Sequence, residues 1–354
     1  MDLIYYLSPR PLACEEGEDP RPLRLYGTKA IWLTRNRAAA AEHVPAIAVD
    51  DVTAFRRANP GGVLIVRSHG EAMRLVPSAV RFGFDSTDSR ALYYRRRAQA
   101  IAATDPLRAL VAVRNYLRYR KMEAAILRRA GLVVTTGPAD ERFLRMLVPQ
   151  ASVLRVGNGT DHLAEGPVAP RDDGRTIGFH GNLTWGPNLS TARHLTRRIA
   201  PALAAHGGRP VRVRIAGRPM PADITALDGR AGVGLDGFVP DLRAWMASLS
   251  LYVMPMYQGG GIKNKLIEAL AHGLPVVTNP LGAEALEPGG EAAVAIARTD
   301  RDLVDTVLTL LDDSNRLAAM RLAARRHAER HYDWAVHHAA LHAKLDALRA
   351  EGLL

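Results

Sequence analysis

The chain has 354 residues, which at about 150 per domain suggests two domains. Its 47% hydrophobic and 23% charged residues make a globular composition and exclude a collagen, a coiled coil or disorder throughout. Forty-seven Lys and Arg against 36 Asp and Glu leave a net charge of +11, which points to nucleic acid, an anionic membrane surface or phosphorylated small molecules as partners.

The start, Met1 to Leu7, lacks the basic n-region of a signal peptide and reads as a first buried strand. Short apolar runs follow at Ala30–Leu33, Ala46–Val49, Val63–Val66, Phe82–Phe84, Leu132–Thr135 and Val153–Val156. A second series covers Ile177–His180, Val211–Ala216, Gly234–Asp236, Leu251–Pro255, Pro275–Thr278 and Ala293–Ile296. Helical periods lie between them, notably at Leu107–Arg129, Leu189–Leu203, Leu242–Leu249, Ile262–His272, Leu303–Leu311, Asn315–His331 and, alanine-rich, from Trp334. Nearly all-apolar strands alternating with helices predict an α/β protein with parallel sheets covered on both faces. The pattern restarts after Gly157–Thr176, a stretch of Gly, Pro, Asp and Arg without apolar period. That stretch reads as a linker between two doubly wound domains facing a cleft. The expected division is 1–160, 175–333 and a final helix over 334–354. No segment reaches the roughly 18–20 apolar residues of a membrane span. A single cysteine, Cys14, excludes a disulfide framework and fits a reducing compartment. A cytoplasmic protein is expected.

Most chemistry is concentrated in Leu251–Pro275. A strand ends near Pro255, three glycines follow at Gly259–Gly261, and a helix begins near Ile262. Glycines let backbone approach a ligand, and the free N–H groups of a helix start favour an anion such as a diphosphate. Lys263 and Lys265 add positive charge. Glu268, three residues on, shares a face with Lys265 and can accept hydrogen bonds from a ribose diol. A glycine-rich turn beside a solvated Lys–Glu pair fits the same spacing. Neither a Walker loop nor a Gly-x-Gly-x-x-Gly fingerprint is present.

Four ordered segments resemble the retaining glycosyltransferases of the family-4 type, also called glycosyl transferases group 1. They are IGFHGNLTWGPN at Ile177–Asn188, VRIAGRP at Val213–Pro219, GFVPDL at Gly237–Leu242, and the run from Tyr257 to Pro275. The first half is similar chiefly through VGNGTD at Val156–Asp161. The resemblance implies a GT-B fold of two Rossmann-like domains, the second holding a nucleoside-diphosphate sugar. Glu268 is then similar to the residue on the donor ribose, and Lys265 and Arg218 to the cations on the diphosphate. Gly181 and Asn182 stand where the donor phosphate approaches the chain, and Val239 where main chain meets the base. Gly260, Gly261, Lys263 and Asn264 complete the expected donor site. The last helix is expected to return to the first domain.

Two positions depart from the family pattern. Gly260 stands where many relatives carry the first glutamate of a Glu-x7-Glu pair, which leaves sugar recognition to Gln258, Lys263 or Asn264. In the first domain Asp85 and Asp88 occupy the place of a family histidine. Either they polarise an acceptor hydroxyl or bind an acceptor amine, or Asp88 or Ser89 caps the following helix. His69 follows a strand and is the third candidate catalytic residue. The resemblance implies transfer with retention, aided by the departing phosphate, with no bound cofactor and no metal. The His338 and His342 pair lacks the glutamate of a zinc-protease motif.

The basic excess gathers in the first half, at Arg95–Arg97 and Arg114–Lys121. It fits either an ordinary arginine-rich surface helix or one lying on an anionic membrane. Aromatics at 6% give no RNA-binding signature, so nucleic acid is not expected. The expected activity is sugar transfer to a small-molecule hydroxyl, such as a natural product of aminocyclitol type. The alternatives are transfer at the inner membrane face to a lipid-linked or polysaccharide acceptor, a nucleotide-sugar epimerase, and a non-catalytic sugar-nucleotide binder.

Overall fold

A computed structural model describes residues 4–7, 24–25, 28–34, 46–103, 105–169, 174–259 and 261–352. Cys14 and Gly260 lie outside the described residues. The chain divides into two compact units, residues 1–157 with 335–354, and residues 158–334.

The first unit is built on β1 (Ile4–Leu7), β2 (Arg24–Leu25), β3 (Thr28–Thr34), β4 (Ala46–Ala48), β5 (Val63–Val66), β6 (Gly83–Thr87), β7 (Leu132–Thr135) and β8 (Val153–Arg155). The sheet runs β2-β3-β1-β5-β6-β7-β8, with β4 also paired to β3. All pairs are parallel except the short β2·β3 ladder. Leaving β2 aside, the order turns back between β1 and β5, which is the switch point of a doubly wound sheet. The strands are wholly apolar where both faces are covered. Tyr5, Leu7, Leu64 and Val66 enter one core with Phe82, Phe84 and Ile126. Ile4, Tyr6, Val63 and Ile65 enter the other, where Leu341, Leu345 and Leu348 of the helix Trp334–Ala350 cover them. Period-2 alternation along β1 and β5 thus meets the i, i+4, i+7 stripe of the final helix.

The second unit holds β9 (Thr176–His180), β10 (Arg212–Ala216), β11 (Val233–Gly237), β12 (Leu251–Met254), β13 (Val276–Thr278) and β14 (Val294–Ile296). Their order, β11-β10-β9-β12-β13-β14, is all parallel. This is the 3-2-1-4-5-6 arrangement of dinucleotide-binding folds, with its switch point between β9 and β12. One core of aliphatic side chains from both helical layers fills it. Every strand expected from the sequence forms, and β2 is an addition. The helical run expected at Leu189–Leu203 forms as Gly186–His194, one wide turn at Leu195–Ile199, and Ala200–Ala205.

The stretch expected to be a linker behaves differently over its first part. Residues 158–169 belong to the second unit. They are fixed largely by backbone groups. Thr160 N–H donates to Tyr332 O at 2.9 Å, Val168 N–H to His272 O at 3.0 Å, and Arg325 Nη2 to Leu163 O at 2.7 Å.

The loops that leave β9, β10 and β11 are stitched together. Gly181 N–H donates to Ala216 O at 3.0 Å, Gly217 N–H to Gly237 O at 2.6 Å, and Leu183 N–H to Arg218 O at 3.3 Å. A Cβ on Gly217 would stand 2.0 Å from Gly181 O, a backbone atom that no rotamer change can move. We expect Gly217→Ala to cost about 1–3 kcal/mol, the range for overpacking. Thermal unfolding checks this, and an unchanged Tm would contradict it.

Candidate functional site

In open α/β sheets, ligands meet the chain beyond the carboxyl ends of strands at the switch point. In the second unit this place lies between the loop after β9 and the glycine loop after β12. The helix Asn264–Ala271 follows that loop. It buries Leu266, Ile267, Ala269, Leu270 and Ala271, so Lys265 and Glu268 are left on the opposite, partly open face. Lys263 precedes the helix without capping it. Its buried ammonium instead donates to Gly261 O at 2.8 Å and steadies the loop. Asn264 is exposed and accepts from Asn158 Nδ2 at 2.7 Å.

Lys265 Nζ donates to Asn188 Oδ1 at 2.9 Å, and Asn188 Nδ2 donates to Asn182 O at 2.9 Å. Asn182 Oδ1 in turn accepts from the N–H and hydroxyl of Thr184. Gly181 has no room for a side chain, because a Cβ would lie 2.7 Å from Asn188 Nδ2. Gly181, Asn182 and Lys265 are therefore joined through Asn188, which the sequence analysis did not single out. Burial lowers the Lys265 pKa, and Glu268 partly restores it.

Glu268 Oε2 lies 2.9 Å from His180 Nε2, and Tyr252 Oη lies 2.8 Å from His180 Nδ1. The Tyr252 hydroxyl is fully buried and its pKa is raised by desolvation, so it keeps its proton beside Nδ1. An ionised carboxylate can only accept, so the Nε2–H of His180 donates to Glu268. Burial works to raise the Glu268 pKa. The His180 hydrogen bond and the pull of His180, His162 and Lys265 outweigh it and hold the carboxyl below its ordinary value. His180 and Tyr252 are a supporting pair that sequence reasoning missed. Their only sequence signal is a polar end on an otherwise apolar strand.

Arg218 follows β10 and lies over the Phe238 ring at 4.1 Å. Phe238 and Val239 border a shallow cavity of about 400 Å³ whose floor includes Arg214, Asp236 and Trp245. Arg214 and Trp245 Nε1 both bind Asp236, and the Trp245 ring meets His180 edge-on at 5.9 Å. The cavity thus adjoins the Glu268 support.

In the first unit the three candidates are not equivalent. Asp85 is buried, and its Oδ1 accepts from the N–H and hydroxyl of Thr87. Asp88 is exposed. The cap of the helix Arg90–Ile101 is Ser89, whose Oγ accepts from Leu92 N–H at 3.1 Å. His69 opens a short helix after β5. Its Nε2 lies 3.2 Å from Glu123 Oε1, and its ring packs against Phe84 and Tyr119. Glu123, buried on the helix Pro106–Leu127, also accepts from Ser89 Oγ at 2.8 Å and Ala91 N–H at 3.3 Å. Glu71 is a further group the sequence did not reveal. It is buried, its Oε2 has no hydrogen-bond partner among the described residues, and burial pushes its pKa up to about 7.

A separate cluster joins the 158–169 segment to the end of the Glu268 helix. His162, Glu165 and His272 each place one ligand atom within 4.8 Å of the others. The two imidazole centroids are 4.7 Å apart. Burial, together with His162 and Arg243, drives the His272 pKa down to about 4, so its ring is neutral at physiological pH.

Residues 174–313 match the family model described as Glycosyl transferases group 1. No curated protein matches the chain by sequence. Among solved structures, sucrose-phosphate synthase from Thermosynechococcus elongatus is similar over 99% of this chain and 100% of its own, at 15% identity and a TM-score of 0.68. HepE from Anabaena, solved with UDP, is similar over 98% and 100%, at 15% identity and a TM-score of 0.67. TarM shares 14% identity at a TM-score of 0.59, over 80% of this chain, which spans only 54% of the TarM chain. These likenesses establish the GT-B fold: two doubly wound α/β units.

The Glu71 carboxyl gives a pH-dependent expectation. Its folded pKa of about 7 exceeds that of an ordinary carboxyl. Between about pH 4.5 and pH 7 the unfolded chain therefore releases a proton that the folded chain keeps, and stability falls as pH rises. Glu71→Gln removes this dependence. The variant should gain in Tm relative to the parent between about pH 5 and pH 8. A constant difference across that range would contradict it.

Proposed function

We propose that this chain, a GT-B protein with a Glycosyl transferases group 1 domain over residues 174–313, transfers a sugar from a nucleoside diphosphate to an acceptor hydroxyl with retention of configuration. The observation that carries the reading is the pairing of Lys265 with Glu268 on one face at the second unit's switch point, each held by its own partner. A cation and an anion so close suit a ligand with a diphosphate next to a diol. Lys265 and the uncapped start of its helix face the diphosphate, with Arg218 as a second cation. Glu268, aligned by His180, accepts from the ribose hydroxyls. The base rests in the cavity beside Val239. Structures of the neighbour HepE are described with UDP and with UDP-glucose, which makes UDP-sugars the first donors to try.

In the reaction the bond between the anomeric carbon and the diphosphate oxygen breaks. The acceptor oxygen bonds the same carbon on the same face, and its proton passes to the leaving phosphate. Charge grows on the diphosphate as that bond lengthens. Cations already in place stabilise it without reorganising. Gly260 and the neighbouring Gln258, Lys263 and Asn264 are left to recognise the sugar. On the acceptor side, Asp88 is an exposed carboxylate that can meet a hydroxyl or an amine, and His69 and Asp85 support that region. This suits a polar small molecule of aminocyclitol type.

One observation favours the second acceptor reading, a lipid-linked or polysaccharide chain at a membrane face. On the helix Pro106–Leu127, the residues Leu107, Leu110, Val111 and Leu117 are 79%, 67%, 57% and 48% exposed. They share an i, i+3, i+4 stripe with exposed Arg114, Arg118 and Lys121. An apolar stripe bordered by cations suits the surface of an anionic bilayer. No described helix is long and apolar enough to cross one.

Titration calorimetry with a panel of nucleoside-diphosphate sugars, followed by product analysis, tests the donor reading. Lys265→Ala should weaken donor binding by about 10–100-fold, the loss of a charge-assisted contact. Glu268→Ala should do the same with an intact circular dichroism spectrum. Absence of saturable binding to every donor would refute the reading. The anomeric coupling in the product's NMR spectrum reports retention. Sedimentation with phosphatidylglycerol vesicles, lost in Leu110→Glu, decides for the membrane face, and its absence decides against it.

A further inference from the structure

The His162–Glu165–His272 cluster shares no side chain with the residues proposed for sugar transfer, though His272 stands at the end of the helix that bears Lys265 and Glu268. The His272 ring is fully buried, and neither Nδ1 nor Nε2 has a hydrogen-bond partner among the described residues. Buried polar atoms without partners are costly. His162 Nδ1 is buried too and has no hydrogen-bond partner among the described residues, with Glu165 Oε1 at ion-pair distance, 3.6 Å. One ring nitrogen from each histidine and one carboxylate oxygen of Glu165 thus lie around one small space.

We propose that His162, Glu165 and His272 bind one zinc ion through two imidazole nitrogens and Glu165 Oε1, leaving a fourth position for water. Two nitrogen ligands and one carboxylate suit zinc, whereas magnesium and calcium take oxygen ligands. Ligand atoms around a tetrahedral zinc stand about 3.3 Å apart, given bonds of about 2.0–2.1 Å. The cluster, already within 4.8 Å, needs only a modest closing movement. His162 and Glu165 side chains, 29% and 45% exposed, are free enough to make it. The opposite carboxylate oxygen, Oε2, faces Arg243 Nη1 at 3.9 Å, so Oε1 remains for the metal. Arg243 and Arg325 both donate to carbonyls around the cluster. Their positive charge keeps the affinity moderate, below that of a closed structural site.

Zinc here would not take part in sugar transfer. It would tie the 161–165 turn to the C-terminal end of the helix that bears Lys265 and Glu268, adding a cross-link where Val168 N–H already bonds His272 O. The spacing of 162, 165 and 272 hid the site from sequence reading, which had only the i, i+4 pair His338 and His342 to consider.

The test is equilibrium dialysis of the full chain, stripped with chelator, against zinc chloride, with bound metal measured by mass spectrometry. One zinc per chain is expected, with no retention of magnesium. The exposed positions can be altered without opening the core, so His162→Ala and Glu165→Ala are the informative variants. Each should lose affinity by roughly tenfold or more, and zinc should raise the Tm of the parent but not of His162→Ala. The double variant His338→Ala/His342→Ala should bind like the parent. No stoichiometric zinc, zinc retained unchanged in His162→Ala and Glu165→Ala, or zinc lost only in the His338/His342 variant would each overturn the proposal. The first outcome would leave ordered water as the partner of His272.

Discussion

Gly181 and Gly217 bring two strand-exit loops so close that the carbonyl of one occupies the space a side chain on the other would need. A parallel sheet leaves its polar chemistry to the loops at strand ends, since both faces of the strands are buried. Those loops carry few contacts of their own, so their mutual spacing has to come from backbone. Here it comes from direct main-chain hydrogen bonds between the exits of β9, β10 and β11. Asn182, Arg218 and the rim of the Val239 cavity take their positions from that stitching. The glycine loop after β12 joins them through Asn188 and Lys265.

The second layer of control is electrostatic. Lys265 and Glu268 are one helical turn apart yet do not pair directly within the described hydrogen bonds. Asn188 holds the ammonium and His180 holds the carboxylate. Two charged groups that closed on each other would present a neutral surface. Held apart by separate partners, they keep both signs of charge available, while burial around them strengthens any field they exert. Tyr252 completes this by holding His180 at Nδ1 with a hydroxyl that desolvation keeps protonated.

The strands were legible because buried parallel strands admit almost nothing but apolar residues, and runs such as Val63–Val66 and Leu251–Met254 stand out at once. The glycine loop and the Lys265–Glu268 spacing were legible for a local reason: both lie within one loop-helix segment. What the sequence concealed lies across long separations. His180 meets Glu268 across 88 positions, and Glu123 meets Ser89 across 34. The first part of the expected linker looked featureless because backbone groups and distant arginines fix it, and backbone bonding leaves no trace in side-chain pattern. Asp88 looked as fit to cap a helix as Ser89. In the structure the serine takes the cap, its Oγ accepting from Leu92 N–H.

Glu123 has a mechanical consequence. It gathers the ring of His69, the hydroxyl of Ser89 and the N–H of Ala91 from near the C-terminal end of the helix Pro106–Leu127, the same helix whose outer stripe of leucines faces solvent. A rotation of that helix by a single residue, about 100°, would swing the carboxylate off all three partners. The helix is therefore keyed like a shaft in a slot. Anything that grips its outer face can push it inward or along its axis, but cannot turn it without unseating the loops that hold His69 and Ser89.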